Sequence, residues 1–199
     1  MFWYIRLIVV GRIQTVVASW IVSTTALFLS LVTYASSAKA NLLGGALNAS
    51  SVLSAAIVLL ALIIRSRREG TRITFIPFQK NCLIASGVIT FLWIAITLCF
   101  GGEGIIGAIP NFLTQILLVI SYSMLIKKFW RAEKNTESLI MWWCILIASV
   151  IALYTAVQKE KDWLAFIYAT RSTVLCAILL VVLHRADRRS LRSGTLACA

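Results

Sequence analysis

The sequence is poor in charged residues, histidine and proline. Only 13% of its 199 residues are charged, and it has one histidine and two prolines, whereas 60% of the residues are apolar. Soluble domains carry about 25% charged and about 45 to 50% apolar residues, so this composition excludes an ordinary water-soluble globule, a disordered tail and a collagen-like fibre. Acidic residues are the scarcest charged type, with seven Asp and Glu against 19 Lys and Arg and a net charge of +12. The composition predicts a basic membrane protein.

Motifs for catalysis and for metal binding are also missing. The five cysteines have no CxxC spacing, and the lone His184 lacks the partner ligands that a metal site needs. There is no HExxH, nucleophile elbow, P-loop or pair of carboxylates. All seven acidic residues fall in loops or at the edges of apolar segments. We therefore expect no enzymatic activity, no catalytic residue, no metal and no cofactor.

Six apolar segments are long enough to cross a membrane as helices. A helix needs about 20 apolar residues to span the hydrocarbon core. The sequence thus predicts an all-α, polytopic membrane protein with six transmembrane helices, built as a single integral domain over residues 1–199 that ends in a basic tail at 185–199. The predicted segments are approximately 13–34, 44–64, 81–100, 106–126, 139–157 and 163–184.

The basic residues are divided very unevenly between the two sides of these segments. Fifteen of the 19 Lys and Arg fall on one side, three on the other, and Arg171 lies within the sixth segment. Positive residues in short loops stay on the cytoplasmic side, so both termini are predicted to be cytoplasmic, in a bacterial-type cytoplasmic (inner) membrane. The basic blocks are short and are explained by orientation, so we expect contact with anionic membrane lipids and no nucleic-acid binding.

The first segment allows a second interpretation. Residues 34–40 read YASSAKA, and the small residues Ala38 and Ala40 are spaced as at a signal-peptidase cleavage site after an apolar stretch. The apolar run before them has about 21 residues, which is longer than a typical signal core. We interpret it as a transmembrane helix, with a cleaved signal peptide as the alternative.

The chain contains a candidate internal repeat. An offset of 63 residues places Asn48 on Asn111 and the tetrapeptide LIAS of 83–86 on that of 146–149, with nine identities in the 46 positions from Asn48 to Trp93. The alignment needs no gap, and it predicts a duplicated helix hairpin, the first copy at 44–100. Convergent apolar composition is the alternative. Repeats in membrane proteins commonly enclose a central pathway, as in transporters.

The stretch 106–184 carries a pattern of polar, basic and aromatic residues. It has an amide pair in the outer part of one segment, followed by the sequences ISYSMLIKKFW, KNTESLIMWW and, after a short outer loop, KDWLAFIYATRS. A serine followed by an aromatic residue opens the middle segment, and a tyrosine lies near its outer end. The residues concerned are Asn111, Gln115, Ser138, Trp142 and Tyr154.

In these features the stretch resembles a three-helix unit of the PQ-loop superfamily, which includes the SWEET and SemiSWEET sugar transporters and is related to the nicotinamide riboside transporters. The resemblance implies a helical transporter of a small polar solute. The Pro-Gln pair that names the family is replaced here by Ser123 and Met124. The helix bend that this proline supports in the family therefore has no counterpart at these positions.

Polar residues inside the apolar segments are few, and they form the candidate solute site. Asn111, Gln115 and Tyr122 are spaced i, i+4 and i+11 and share one helical face. Amides and phenols form neutral hydrogen bonds, which suit the hydroxyls of a sugar or nucleoside. Arg171 lies about 12 Å inside the sixth segment, where a cation could hold an anionic or polar group. The predicted substrate-binding set is Asn111, Gln115, Tyr122, Tyr154 and Arg171, with Asn48 and Ser86 from the first hairpin.

Each of these residues also has a purely structural interpretation. The polar side chains of the fourth segment could form hydrogen bonds that hold packed helices together. Arg171 could pair with Asp162 or extend outward to the membrane surface. The small Ser86 and Ser149 could simply permit close helix approach.

Three functions follow from these alternatives. The first is a carrier that moves a small polar solute, such as a sugar, a nucleoside or a vitamin-like compound, by facilitated alternating access. The second is the substrate-binding membrane component of a multi-subunit vitamin transporter, which would copurify with an ATPase pair. The third is a non-transporting membrane subunit or scaffold, which would stay with a partner. A homo-oligomer and partner membrane subunits both remain open.

Overall fold

The computed structural model of the chain is built from α-helices. It describes residues 2–35, 42–70, 73–100, 104–132, 135–160 and 163–196, and no strand occurs among them, so the all-α prediction is confirmed. Seven α-helices and one π-helical turn, Ala156–Glu160, lie in this part of the chain. The helices are α1 (Phe2–Val9), α2 (Val17–Ala35), α3 (Leu42–Arg68), α4 (Pro77–Phe100), α5 (Gly104–Trp130), α6 (Leu139–Thr155) and α7 (Trp163–Leu196).

Five of these helices, α3 to α7, are long and apolar enough to cross a membrane, which indicates an integral membrane protein. They correspond to the second to sixth predicted segments. The first predicted segment, 13–34, is represented by α2, whose apolar part Val17–Thr33 is shorter than the other five. Helix α2 as described has 19 residues, which extend about 29 Å, close to the roughly 30 Å hydrocarbon core. Residues 36–40, which hold the candidate cleavage site, lie outside the described residues.

The helices fall into two compact units. The first comprises Met1–Val10 and Val16–Met124, and the second comprises Gly11–Thr15 and Leu125–Ala199. In the first unit α2 packs against α3 and α4, and α1 packs against α3. Its core includes Tyr4, whose ring lies 6.3 Å from that of Trp20 between centroids.

A cluster of three serines joins α2 to α5 inside the first unit. The Ser19 hydroxyl donates to the backbone carbonyl of Ser121 at 3.0 Å, and the Ser121 hydroxyl donates to the carbonyl of Ser19 at 2.9 Å. The hydroxyls of Ser23 and Ser121 are 2.6 Å apart. Ser19 and Ser121 are each 1% exposed, so this cluster is a buried polar contact between helices. Small residues with hydroxyl groups are the usual means of close helix approach in membranes.

The second unit is centred on the packing of α6 against α7. The hydroxyls of Ser149 in α6 and Ser172 in α7 are 2.8 Å apart, which agrees with the interpretation of Ser149 as a helix-packing residue. Ser138 caps α6, because its hydroxyl accepts a hydrogen bond from the N–H of Met141 at 3.3 Å.

The segment before α2 also belongs to this second unit. The N–H of Gln14 donates to the carbonyl of Thr136 at 3.0 Å, and the Thr136 hydroxyl donates to the carbonyl of Gln14 at 3.1 Å. Lys128 donates to the same Gln14 carbonyl. These contacts hold residues 12–16 out of helix and explain why α2 begins four residues later than predicted. Gly11, with φ of 83°, provides the reversal after α1.

The two middle hairpins have connections of equal length. Helices α3 and α5 end at Arg68 and Trp130, and eight residues, 69–76 and 131–138, separate each from the next helix. The two helix ends, 68 and 130, and the two following helix starts, 77 and 139, are therefore both 62 residues apart. This spacing differs by one from the 63-residue offset of the sequence alignment, which is within the usual uncertainty of helix ends.

The helix ends of the first hairpin follow from local sequence. Gly70, with φ of 63°, adopts the left-handed conformation that ends α3, and Pro77 is the first residue of α4. The second proline behaves differently, since Pro110 lies inside α5, in its second turn, and is buried. A proline there has no N–H to donate, which weakens the helix directly before Asn111.

Candidate functional site

Helix α4 exposes its large apolar side chains, whereas a surface helix of a soluble protein buries them. Among its described side chains only Ser86 and Trp93 are buried, at 6% and 5% exposure. Its apolar residues point outward, with Phe91 68% and Leu98 80% exposed. Positions 86, 90, 93 and 97 are spaced i, i+4, i+7 and i+11, so they share one face. This polar face of α4 consists of Ser86, Thr90, Trp93 and Thr97.

Three groups on the polar face of α4 have a buried polar atom without a hydrogen-bond partner. Within the described part of the chain nothing accepts from or donates to Ser86 Oγ, Trp93 Nε1 or Thr97 Oγ1. Leaving such a group unsatisfied away from water costs about 1 to 3 kcal/mol. The polar face is therefore equipped to bind a molecule that supplies both donors and acceptors.

Other hydroxyl groups on the helices of this chain do have hydrogen-bond partners. Thr24, Thr25 and Thr33 in α2 each donate to the backbone carbonyl four residues earlier, at 2.7, 3.0 and 2.8 Å. Thr173 in α7 does the same at 2.8 Å. Such a bond to the helix's own backbone is the usual solution for a hydroxyl in apolar surroundings. Ser86 and Thr97 do not use it, and neither does Thr170 in α7; the polar face of α4 differs in that two such hydroxyls and an indole lie on one face of a helix.

The amides predicted on α5 are in direct contact. Gln115 Nε2 donates to Asn111 Oδ1 at 3.0 Å, and Gln115 is 8% exposed. This bond lies within one helix turn and fixes the orientation of both amides, so it does not by itself join two helices. Tyr122, further along α5, is half-buried. Buried Thr114 donates to the carbonyl of Asn111 at 2.7 Å.

The predicted site residues are distributed over both units. Ser86, Asn111, Gln115 and Tyr122 belong to the first unit, and of these the structure brings Asn111 and Gln115 together. The side chain of Asn48, also in the first unit, lies outside the described residues.

The other two predicted site residues belong to the second unit. Tyr154 is 65% exposed near the end of α6. The Arg171 guanidinium stacks on the ring of Tyr168, three residues earlier in α7, with 4.8 Å between its central carbon and the ring centroid. Asp162, which the sequence suggested as a partner of Arg171, lies outside the described residues. Next to Arg171, the buried Thr170 Oγ1 is without a partner among the residues described.

Sequence reasoning missed two of the four residues on the polar face of α4. Trp93 and Thr97 lie in an apolar run, and a single tryptophan or threonine there is inconspicuous. The i, i+7, i+11 spacing from Ser86 was the signal that could have identified them. The serine cluster of α2 and α5 was missed as well, although Ser19 and Ser23 have the small-xxx-small spacing of packed membrane helices.

The polar face of α4 and the two amides of α5 offer neutral hydrogen bonding. Hydroxyl, indole and amide groups bind hydroxyls, carbonyls and amides of a ligand without transferring protons. In the described part of the chain, no group of three or more His, Cys, Asp and Glu could hold a metal ion, and none of the four cysteines found there forms a disulfide. The buried Glu137 lies just before α6, close enough to Lys128 to interact with it electrostatically.

Comparisons with known proteins add no relative. No protein-family model, no curated protein and no solved structure matches the chain.

Proposed function

We propose that this chain is an integral membrane transporter that moves a small, uncharged polar solute by facilitated alternating access. The observation that carries the proposal is the polar face of α4. Ser86 and Trp93 are buried there with polar atoms that no described residue satisfies, on a helix whose large apolar side chains, such as Phe91 and Leu98, are exposed. In a membrane every polar group needs a partner, so such a face calls for a polar ligand or water.

The proposed topology has six transmembrane helices, α2 to α7, with both termini in the cytoplasm of a bacterial-type cell. Its support is the distribution of positive charge, with fifteen of the 19 Lys and Arg on the side of the termini. Helix α2 is the first of the six in this proposal, and its serine contacts with α5 would hold it against a neighbouring spanning helix.

The proposed architecture contains a duplicated helix hairpin, α3–α4 and α5–α6. The equal eight-residue connections after α3 and α5 support it, together with the shared LIAS tetrapeptide. A repeat of this kind, with α7 completing a three-helix unit, is the organisation that the PQ-loop resemblance implies. Transporters built from repeats commonly place the solute site near the middle of the membrane.

The proposed site uses neutral groups from the first unit. The polar face of α4 supplies hydroxyl and indole groups, and α5 supplies the Asn111 and Gln115 amides, which their mutual hydrogen bond already orients. A ligand with several hydroxyl or amide groups, such as a sugar or nucleoside, matches these donors and acceptors. Asn48, also in the first unit, remains a proposed member of this site, whereas Tyr154 and Arg171 of the second unit stay predictions from the sequence.

A second candidate function is a non-transporting membrane subunit. The serine cluster favours it, because Ser19, Ser23 and Ser121 show that buried polar residues in this chain can act purely in helix packing. Under this interpretation a partner helix, not a solute, would cover the polar face of α4.

Uptake into proteoliposomes tests the proposal. The purified chain is reconstituted and screened with radiolabelled sugars, nucleosides and vitamins, and the transported compound is then used with Ser86→Ala and Thr97→Val. Loss of one neutral hydrogen bond to the solute is worth about 1 kcal/mol, so each variant should raise KM about fivefold. Thr33→Val is the matched control, because the Thr33 hydroxyl bonds its own helix backbone, and its KM should stay within about twofold of the wild-type value.

Two results would contradict the proposal, one its transport function and the other the site that it assigns. One is the absence of uptake for every compound in the screen. The other is uptake that Ser86→Ala and Thr97→Val leave as unaffected as Thr33→Val does, which would remove the α4 face from the pathway. Copurification of a stoichiometric membrane partner that is lost in Thr97→Val would instead support the subunit function.

A further inference from the structure

The ends of α5 and α7 in the second unit are joined by a cluster of two arginines and a tryptophan. Arg189 donates from a guanidinium nitrogen to the carbonyl of Trp130 at 2.9 Å. The guanidinium of Arg185 lies over the Trp130 ring, with its central carbon 5.8 Å from the ring centroid. Arg185 and Arg189 are one helical turn apart on α7, so they present their charges on the same side. We call Trp130, Arg185 and Arg189 the Trp130 cluster.

The Trp130 cluster keeps its charges accessible. Both arginines are exposed, and Trp130 is 53% exposed. Lys127, three residues before Trp130 on α5, is exposed too, and so is Arg188. The acidic residue described in this part of α7 is the half-buried Asp187. Positive charge therefore predominates around an exposed aromatic ring.

The position of the cluster along the helices corresponds to the depth of lipid headgroups. Helix α7 begins at Trp163, and at 1.5 Å per residue Arg185 lies about 33 Å and Arg189 about 39 Å further along. The hydrocarbon core is about 30 Å thick and the headgroup layers bring the bilayer to about 40 to 45 Å. Trp130 is the last residue of the α5 span. Both helices thus place the cluster where the hydrocarbon core ends.

We propose that the Trp130 cluster is a binding site for the headgroup of an anionic phospholipid. The two guanidinium groups provide donors for the phosphate oxygens, which Arg binds in a bidentate manner. The stacked tryptophan ring occupies the interfacial layer, where aromatic residues are favoured, and holds Arg185 in a fixed orientation. The lipid is that of the bilayer surrounding the helices, on the side where α5 ends, and the site does not depend on the transported solute.

Titration of the detergent-solubilised full chain with phosphatidylglycerol, followed by native mass spectrometry, tests this site. The double variant Arg185→Gln with Arg189→Gln removes its charge. A hydrogen bond from one guanidinium to the phosphate contributes about fivefold to affinity, so loss of one such bond from each arginine should make the double variant bind phosphatidylglycerol about thirtyfold more weakly. Arg67→Gln with Arg68→Gln is the matched control, because it removes the same charge from exposed positions at the end of α3. The control should lose less than about threefold.

Two further measurements distinguish an anionic lipid from a zwitterionic lipid and from a free anion. Zwitterionic phosphatidylcholine should bind equally to wild type and both double variants, and inorganic phosphate should not displace phosphatidylglycerol at equal concentration. If the double variant fails to fold, Arg185→Gln alone retains the Arg189 bond to Trp130 and should lose about fivefold.

The proposal is overturned if the two double variants lose phosphatidylglycerol to the same extent, since the effect would then be general surface charge. It is also overturned if phosphatidylcholine binding falls in parallel, or if inorganic phosphate displaces the lipid, which would make the cluster a site for free anions.

Discussion

Removal of the Ser121 hydroxyl should loosen the contact between α2 and α5. This side chain is 1% exposed, donates to the carbonyl of Ser19, and lies within hydrogen-bond distance of the hydroxyls of Ser23 and Ser19. Because the Ser19 hydroxyl donates its proton to the carbonyl of residue 121, Ser121→Ala deletes two bonds, those with the Ser19 carbonyl and the Ser23 hydroxyl, and keeps the small size that the close helix approach needs. The bond from the Ser19 hydroxyl to the carbonyl of residue 121 remains in this variant.

The expected magnitude follows from hydrogen bonds between membrane helices. Such a bond contributes about 0.6 kcal/mol on average and at most about 1.7 kcal/mol. Two lost bonds therefore lower the free energy of unfolding by about 1 kcal/mol, with an upper bound of about 3 kcal/mol. Ser121→Val should cost about 1 to 3 kcal/mol more, because its branched side chain is forced into a tightly packed contact.

Unfolding in mixed micelles of mild detergent and sodium dodecyl sulfate, followed by far-ultraviolet circular dichroism, measures this free energy. Ser123→Ala is the matched control on the same helix. The Ser123 hydroxyl donates only to the carbonyl of Ile120 within α5, at 2.7 Å, so its loss should change stability by less than about 0.5 kcal/mol. Equal stabilities for Ser121→Ala and Ser123→Ala would refute the role assigned to the serine cluster.

Two other predictions concern helix packing and topology. In a double-mutant cycle, Ser149→Ala and Ser172→Ala should show a coupling of about 0.6 kcal/mol in the same unfolding assay, and Ser149→Ala paired with Thr173→Ala should show none, because Thr173 bonds its own helix. In a cysteine-free background, a membrane-impermeant maleimide should label Gln158→Cys in intact cells and Thr74→Cys only after permeabilisation, since Thr74 lies in a basic connection. Labelling of Thr74→Cys from outside would reverse the proposed orientation.

The positions of the long helices were predictable because the bilayer sets them. Its thickness requires about 20 apolar residues, and runs of that length are visible in the sequence. The start of α2 was not predictable, because it depends on hydrogen bonds from Gln14 to Thr136, more than 120 residues away in the chain. Nothing in the local sequence around Gln14 indicates such a partner.

The candidate site was predictable only where helical periodicity applies. The shared face of Asn111 and Gln115 follows from their spacing, and the structure confirms that the two amides touch. The inward orientation of Trp93 could not be deduced, because hydropathy counts a tryptophan as apolar on any face. Its burial is decided by how α4 packs against α2, which is a tertiary property.

The contrast between two sets of buried hydroxyls carries the functional argument. In the serine cluster each hydroxyl meets another helix, and in α2 each threonine hydroxyl meets its own backbone, so these groups are complete in the folded chain. The hydroxyl of Ser86 has neither kind of partner among the described residues, although a bond to its own helix would be the simple solution. Since lipid tails form no hydrogen bonds, the polar groups on such a helix face need a hydrogen-bond partner from another molecule or another helix. Under the proposed function, a polar solute that binds and is released in turn would supply these hydrogen bonds.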